Sequence, residues 1–153
     1  MNMSDFTLAA TLALSWDDID RDCRALAALL APKGPFRGIV AIARGGLVPA
    51  ALLARDLDIR LVETVCISTY DDRARGTPEV LKALSGDGQG WLVVDDLVDS
   101  GATAELVRAM LPKAHFATLY AKPEGRPQVD TFVAEVDQRV WIIFPWEAGA
   151  DGE

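Results

Sequence analysis

With 153 residues, 50% of them hydrophobic, the chain can bury one sizeable core and is short for two ordinary domains. A formal net charge of -8 argues against non-specific attachment to nucleic acid, which relies on Lys and Arg neutralising phosphates, so an anionic ligand must be gripped by local groups. Two cysteines without CxxC spacing and a single histidine argue against a disulfide framework or a zinc site and fit a reduced cytoplasm.

The first residues, MNMSDFTLAATLAL, lack the basic start and cleavage signature of a secretory signal. No apolar run reaches the roughly 18 residues that span a bilayer, so a soluble protein is expected. Ser15 with Asp17 and Asp18 reads as a helix start, and Ile19, Cys23, Leu26, Leu29 and Leu30 recur at helical spacing until Pro32. GIVAIA (38–43) reads as a buried strand, ARGG as a tight loop and LVPAALLARDL (47–57) as a helix with Pro49 in its first turn. RLVETVCIST (60–69) is the next strand. Residues 70–79, YDDRARGTPE, are polar and rich in turn formers, a candidate lid. After the GDGQG turn come a strand at WLVVD (91–95), a helix at 102–111, a strand at HFATLYA (115–121) and the KPEGRP loop (122–127). This alternation predicts an α/β fold with a mainly parallel central sheet flanked by helices. Ligands of such folds gather at the carboxyl ends of strands, where Arg44-Gly45-Gly46 and the stretch Asp95 to Thr103 both fall.

The second of these stretches runs Asp95, Asp96, Leu97, Val98, Asp99, Ser100, Gly101, Ala102, Thr103. Small residues entering a helix offer unpaired backbone N–H groups and the positive end of a helix dipole, which suits a phosphate. Carboxylates would repel that phosphate unless they face sugar hydroxyls or a hard cation. An ordinary turn with a helix cap would also read Asp-Ser-Gly-Ala-Thr. Arg44 beside two glycines can grip a second phosphate bidentately, or be a surface arginine next to a turn. Together the two loops describe a site for a sugar carrying phosphate at both ends.

An apolar strand, two acids and Asp-Ser-Gly-x-Thr resemble the PRPP (5-phosphoribosyl 1-pyrophosphate) motif of type I phosphoribosyltransferases. Over roughly residues 16–147, the stretches RGGLVPAALLAR, TVCIS, KAHF, AKPEGRP and W-I-x-x-PW look like the bacterial xanthine-guanine phosphoribosyltransferase family. The resemblance implies one domain over 1–153, with an N-terminal extension (1–14), a flexible active-site loop (70–79), a purine-binding hood (about 122–147) and a divergent tail (148–153). It implies that Asp99 to Thr103 hold the 5-phosphate. Asp95 and Asp96 serve the ribose hydroxyls and Mg2+, with Asp96 the metal residue. Leu97 and Val98 complete the motif, and Arg44 with Gly45 binds pyrophosphate behind a cis Ala43-Arg44 bond. On the base side it implies Asp99 near N7, Lys122 at O6, Trp141 stacked on the ring and Ile142 as a backbone contact.

The chain departs from its relatives at three motif positions. Ala43 replaces a serine, Ala102 a glycine, and Gly76 falls where an arginine reaches pyrophosphate, leaving Arg73 or Arg75 as substitutes. His115 and both cysteines are assigned to structure. The expected reaction is Mg2+-dependent transfer from PRPP to N9 of guanine or xanthine, hypoxanthine more weakly. The family also suggests a homotetramer in the cytoplasm, with at most peripheral membrane association and no nucleic-acid partner. A PRPP sensor on the same fold, or a phosphoribosyltransferase for another base, is the alternative.

Overall fold

A computed structural model describes residues 10–68 and 78–147. In chain order the elements are β1 (Thr11–Ala13), α1 (Trp16–Leu30), β2 (Gly38–Ala43), α2 (Leu47–Leu57), β3 (Val62–Ser68), β4 (Glu79–Lys82), β5 (Trp91–Val98), α3 (Ala102–Met110), β6 (His115–Ala121), β7 (Thr131–Glu135) and β8 (Trp141–Ile143). Short 3-10 turns occupy Ala31–Lys33 and Arg126–Gln128.

Helix α1 starts where Ser15 and Asp18 cap each other. The Ser15 hydroxyl accepts from the Asp18 amide at 3.0 Å, and the Asp18 carboxylate accepts from the Ser15 amide at 2.9 Å. Ile19, Cys23, Leu26 and Leu30 form its buried stripe, whereas Leu29 faces outward. Its Asp22 accepts from the Tyr120 hydroxyl, which anchors the helix to β6 through a buried polar pair.

Six strands form the main sheet in the order β4-β3-β2-β5-β6-β7, and only β4 runs antiparallel. Successive side chains of a strand point to opposite faces, so β2 and β5 feed two cores. Ile39, Ala41, Leu92 and Val94 pack with α1 and α2. Val40, Ile42, Trp91 and Val93 pack on the other face with Ala104 and Val107 of α3. A separate parallel pair joins β1 to β8, with Thr11 opposite Trp141 and Leu12 opposite Ile142. Thus part of the stretch read as an N-terminal extension supports the strand that carries Trp141.

Strands 38–43 and 115–121 and helix 47–57 have the bounds their patterns predict. β5 does not end at Asp95 but continues through Asp96 and Leu97 to Val98, because β6 keeps pairing with it from Asp95↔Thr118 to Val98↔Ala121. The adjacent acids therefore sit on a strand, and the loop itself is short. The expected lid falls mostly outside the described residues, as do Arg73, Arg75, Gly76 and the tail at 148–153. No helix among the described residues is long and apolar enough to cross a membrane.

Candidate active site

From β2 the chain turns to β3 on one side, and from β5 to β6 on the other, so β2 and β5 flank the point where strand order reverses. Their pairing runs from Gly38↔Trp91 to Ala41↔Val94 and stops. Beyond it the strands part. Arg44 and Gly45 leave one lip of the crevice while Asp95 to Asp99 leave the other. The Ala43-Arg44 peptide bond is cis, as the family resemblance implies. A Cβ built on Gly45 would lie 2.6 Å from an Asp96 carboxylate oxygen, so this close approach requires glycine. Gly45→Ala should push the Asp96 carboxylate aside, at a stability cost of about 1–3 kcal/mol. Thermal melting of the variant checks it.

Gly101 caps α3 with φ 94°, a left-handed conformation open to glycine at little cost. The Ser100 hydroxyl accepts from the Ala102 amide at 3.3 Å, holding the turn before the helix. Leu97, Val98, Asp99, Ser100, Gly101, Ala102 and Thr103 line a cavity of about 120 Å³ with Asp95. A second cavity, about 790 Å³, is lined by Ala43, Arg44, Gly45, Asp95, Asp96 and Thr103, and by Cys66, Ser68, Trp146 and Glu147, to which the resemblance gives no ligand role. The two spaces meet at Asp95 and Thr103. Arg44 is exposed and, among the described residues, has no ion-pair partner, leaving its guanidinium available to an anion.

Burial pushes the Asp96 carboxyl up to about 6, and the charge of Glu147 adds to that. Asp95 is raised as well, first by desolvation and then by the charge of Asp96, whose amide donates to Asp95 Oδ1 at 2.8 Å. A carboxyl raised in the fold binds its proton more tightly there than in the unfolded chain. Stability contributed by that protonated form is therefore lost as pH rises from the ordinary range near 4 through about 6. Asp96→Asn should remove about 1 kcal/mol of this loss, raising the Tm of the ligand-free protein relative to wild type by about 2–4 °C at pH 7.5 and by much less at pH 4.5. Scanning calorimetry at the two pH values decides it.

Lys122, only 4% exposed, follows β6 and donates from Nζ to Asp99 Oδ2 at 3.4 Å. The Lys122 amide bonds the Val98 carbonyl at 2.9 Å, and a Cβ on Gly125 would lie 2.7 Å from the Asp99 carbonyl oxygen. The 122–128 turn is thus pressed onto the loop that enters α3. Gln138 Nε2 donates to the other Asp99 oxygen, Oδ1, at 2.7 Å. Trp141 is 62% exposed, whereas Ile142 is buried in the core. Neither lines the two cavities, while Asp99 and Lys122 are brought into contact.

His115 Nε2 meets Thr131 Oγ1 at 2.8 Å between β6 and β7, a structural contact. Cys23 is fully buried. Cys66 differs from the expected core cysteine, because its place near the end of β3 opposite Ala43 puts it on the wall of the larger cavity. Gln138 and Glu147 lie outside the motif stretches, whereas Gly125 falls within AKPEGRP and Trp146 within W-I-x-x-PW, and the resemblance gives neither a role of its own.

A crevice at a strand-order reversal, with the small-residue turn entering α3 on one lip and Arg44 on the other, places this chain among the α/β proteins whose ligands gather at such a point. The phosphoribosyl transferase domain matches residues 15–153, and the chain belongs to that family. Among its curated relatives, a xanthine-guanine phosphoribosyltransferase of Desulfotalea psychrophila is 59% identical over 138 residues, covering 90% of this chain and 86% of the relative. Another of that name from Nitratidesulfovibrio vulgaris (strain DP4) is 60% identical over 136 residues, covering 88% of this chain and 83% of its own. The crystal structure of a purine phosphoribosyltransferase from Pyrococcus horikoshii superposes with a TM-score of 0.75 at 31% identity, covering 89% of this chain and 93% of that one.

Proposed function

We propose that this chain salvages purines by transferring the phosphoribosyl group of PRPP to N9 of a 6-oxopurine, guanine and xanthine before hypoxanthine, releasing pyrophosphate. The observation that carries this reading is the pair of cavities meeting at Asp95 and Thr103, one formed by the Asp99–Thr103 turn and the other by Arg44 and Gly45. That spacing suits a ribose with a 5-phosphate on one side and a pyrophosphate on the other. The names of the close relatives agree with it.

In this reading, amides and hydroxyls of Ser100 to Thr103 hold the 5-phosphate at the positive end of α3. Arg44 and the Gly45 backbone stabilise the negative charge that builds on departing pyrophosphate. Asp95 and Asp96 accept from the ribose hydroxyls. Raised as they are by burial, these carboxyls also suit a cation that restores their charge. Among the described residues no cluster of three or more His, Cys, Asp or Glu forms a complete metal cage. Mg2+, which binds through one or two carboxylates plus substrate phosphates, fits that donor set, with Asp96 as its protein ligand. Bound there, it would neutralise pyrophosphate charge as the ribose gains oxocarbenium character.

Asp99 accepts or stabilises the proton at N7 while N9 attacks C1. Lys122 donates to O6. Adenine would set its 6-amino donor against the Lys122 donor and leave both unpaired. Trp141 covers the base, and the Ile142 backbone contacts the substituent at position 2. The hood is residues 122–147 of a single domain. The working assembly is a homotetramer in the cytoplasm. Calorimetric titration should find GMP bound at least about tenfold more tightly than AMP, with uridine monophosphate weaker still; equal affinity for GMP and AMP would remove Lys122 from base selection.

A further inference from the structure

Gln138 sits in the turn between β7 and β8, which the Val140 amide closes on the Asp137 carbonyl at 3.0 Å. A polar side chain in such a turn ordinarily meets only water. This one points inward. Its Oε1 accepts from the Glu124 backbone amide at 2.9 Å, and its Nε2 donates to Asp99 Oδ1 at 2.7 Å. The partners fix the direction of the amide, because a backbone N–H can only donate and a carboxylate can only accept. Flipping the amide would break both bonds.

The other Asp99 oxygen has the 3.4 Å contact with Lys122, and the Asp99 side chain is 53% exposed. A carboxylate held on one side by so long a contact can rotate about its last bond, where the torsional preference is broad. The bond from Gln138, at 2.7 Å, is the shorter restraint. Being neutral, the amide also restrains Asp99 without pairing off its charge, as an arginine in the same place would. Glu124 lies two residues beyond Lys122, so one side chain ties the Asp99 carboxylate to the turn that carries Lys122.

We propose that Gln138 is a positioning residue for base activation, setting the rotation of the Asp99 carboxylate and its spacing from Lys122 so that the two meet N7 and O6 as one unit. This rests on the reading that Asp99 faces the purine. Gln138→Met keeps most of the side-chain length and removes both hydrogen bonds. Gln138→Glu keeps the shape and the acceptor for Glu124, while setting a carboxylate against Asp99.

Steady-state kinetics should show kcat with guanine falling about tenfold in Gln138→Met and further in Gln138→Glu, with the KM for PRPP and the Tm unchanged. In an Asp99→Asn background, Gln138→Met should add less than about twofold, since the group it positions is gone. Unchanged kcat in both single variants, beside a slow Asp99→Asn, would overturn the proposal alone. So would a full tenfold loss added by Gln138→Met in the Asp99→Asn background. An Asp99→Asn enzyme as fast as wild type would overturn the base-side reading of Asp99 and the proposal with it.

Discussion

Asp99→Asn is expected to lower kcat with guanine by about 10² to 10⁴-fold, the range that removal of a positioned general base or acid produces. The substitution keeps the size of the side chain and can keep a hydrogen bond from Gln138, so the loop entering α3 should retain its shape. In the proposed reading PRPP is held by Arg44, the paired acids and the backbone amides of the Ser100–Thr103 turn rather than by the Asp99 carboxylate, so its binding should change by less than about threefold. Pre-steady-state measurement of nucleotide formation, beside calorimetric titration of PRPP, separates the two quantities. A loss confined to PRPP affinity would move Asp99 from the base side of the site to the phosphate side.

Lys122→Met should have the second large effect, and of two kinds. The buried ammonium is the only charged donor placed beside Asp99 among the described residues, and its loss should lower kcat/KM for guanine by about 10²-fold through an unmet O6 acceptor. Adenine should lose nothing and should close most of the gap in selectivity, because the donor that opposed its amino group is gone. Stability should hold or rise. A buried charge is costly, methionine fills the same space, and the carboxylate left behind is half-exposed and still bonded to Gln138. Melting curves and a guanine/adenine kcat/KM comparison on the same preparation test both effects; an unfolded variant, or unchanged selectivity, would contradict them.

Much of this was legible in the sequence because the signals are local. Ser15 with Asp18 announces α1, the apolar run 38–43 announces β2, and Pro49 marks a first turn, each through interactions a few residues apart. The Asp99–Thr103 turn is legible for the same reason, since Gly101 and the helix it caps are neighbours. The length of β5 was not, because what extends it past Asp95 is a ladder to β6, some twenty residues further on. Strands β1 and β8 support each other across the whole chain and carry only three residues apiece, too few for a period to show. Gln138 is the clearest case. In sequence it is a polar residue in a polar turn, and only the packing of the 122–128 turn against Val98 and Asp99 brings it to a carboxylate 39 residues away.

The most direct test is turnover itself: the purified chain with PRPP and Mg2+, offered guanine, xanthine, hypoxanthine, adenine and uracil separately, with nucleotide and pyrophosphate measured together. Guanine and xanthine should be converted fastest, hypoxanthine more slowly and adenine and uracil hardly at all, with one pyrophosphate released per nucleotide. Tight binding of PRPP without conversion of any base would contradict the enzyme and leave a phosphoribosyl-diphosphate sensor in its place.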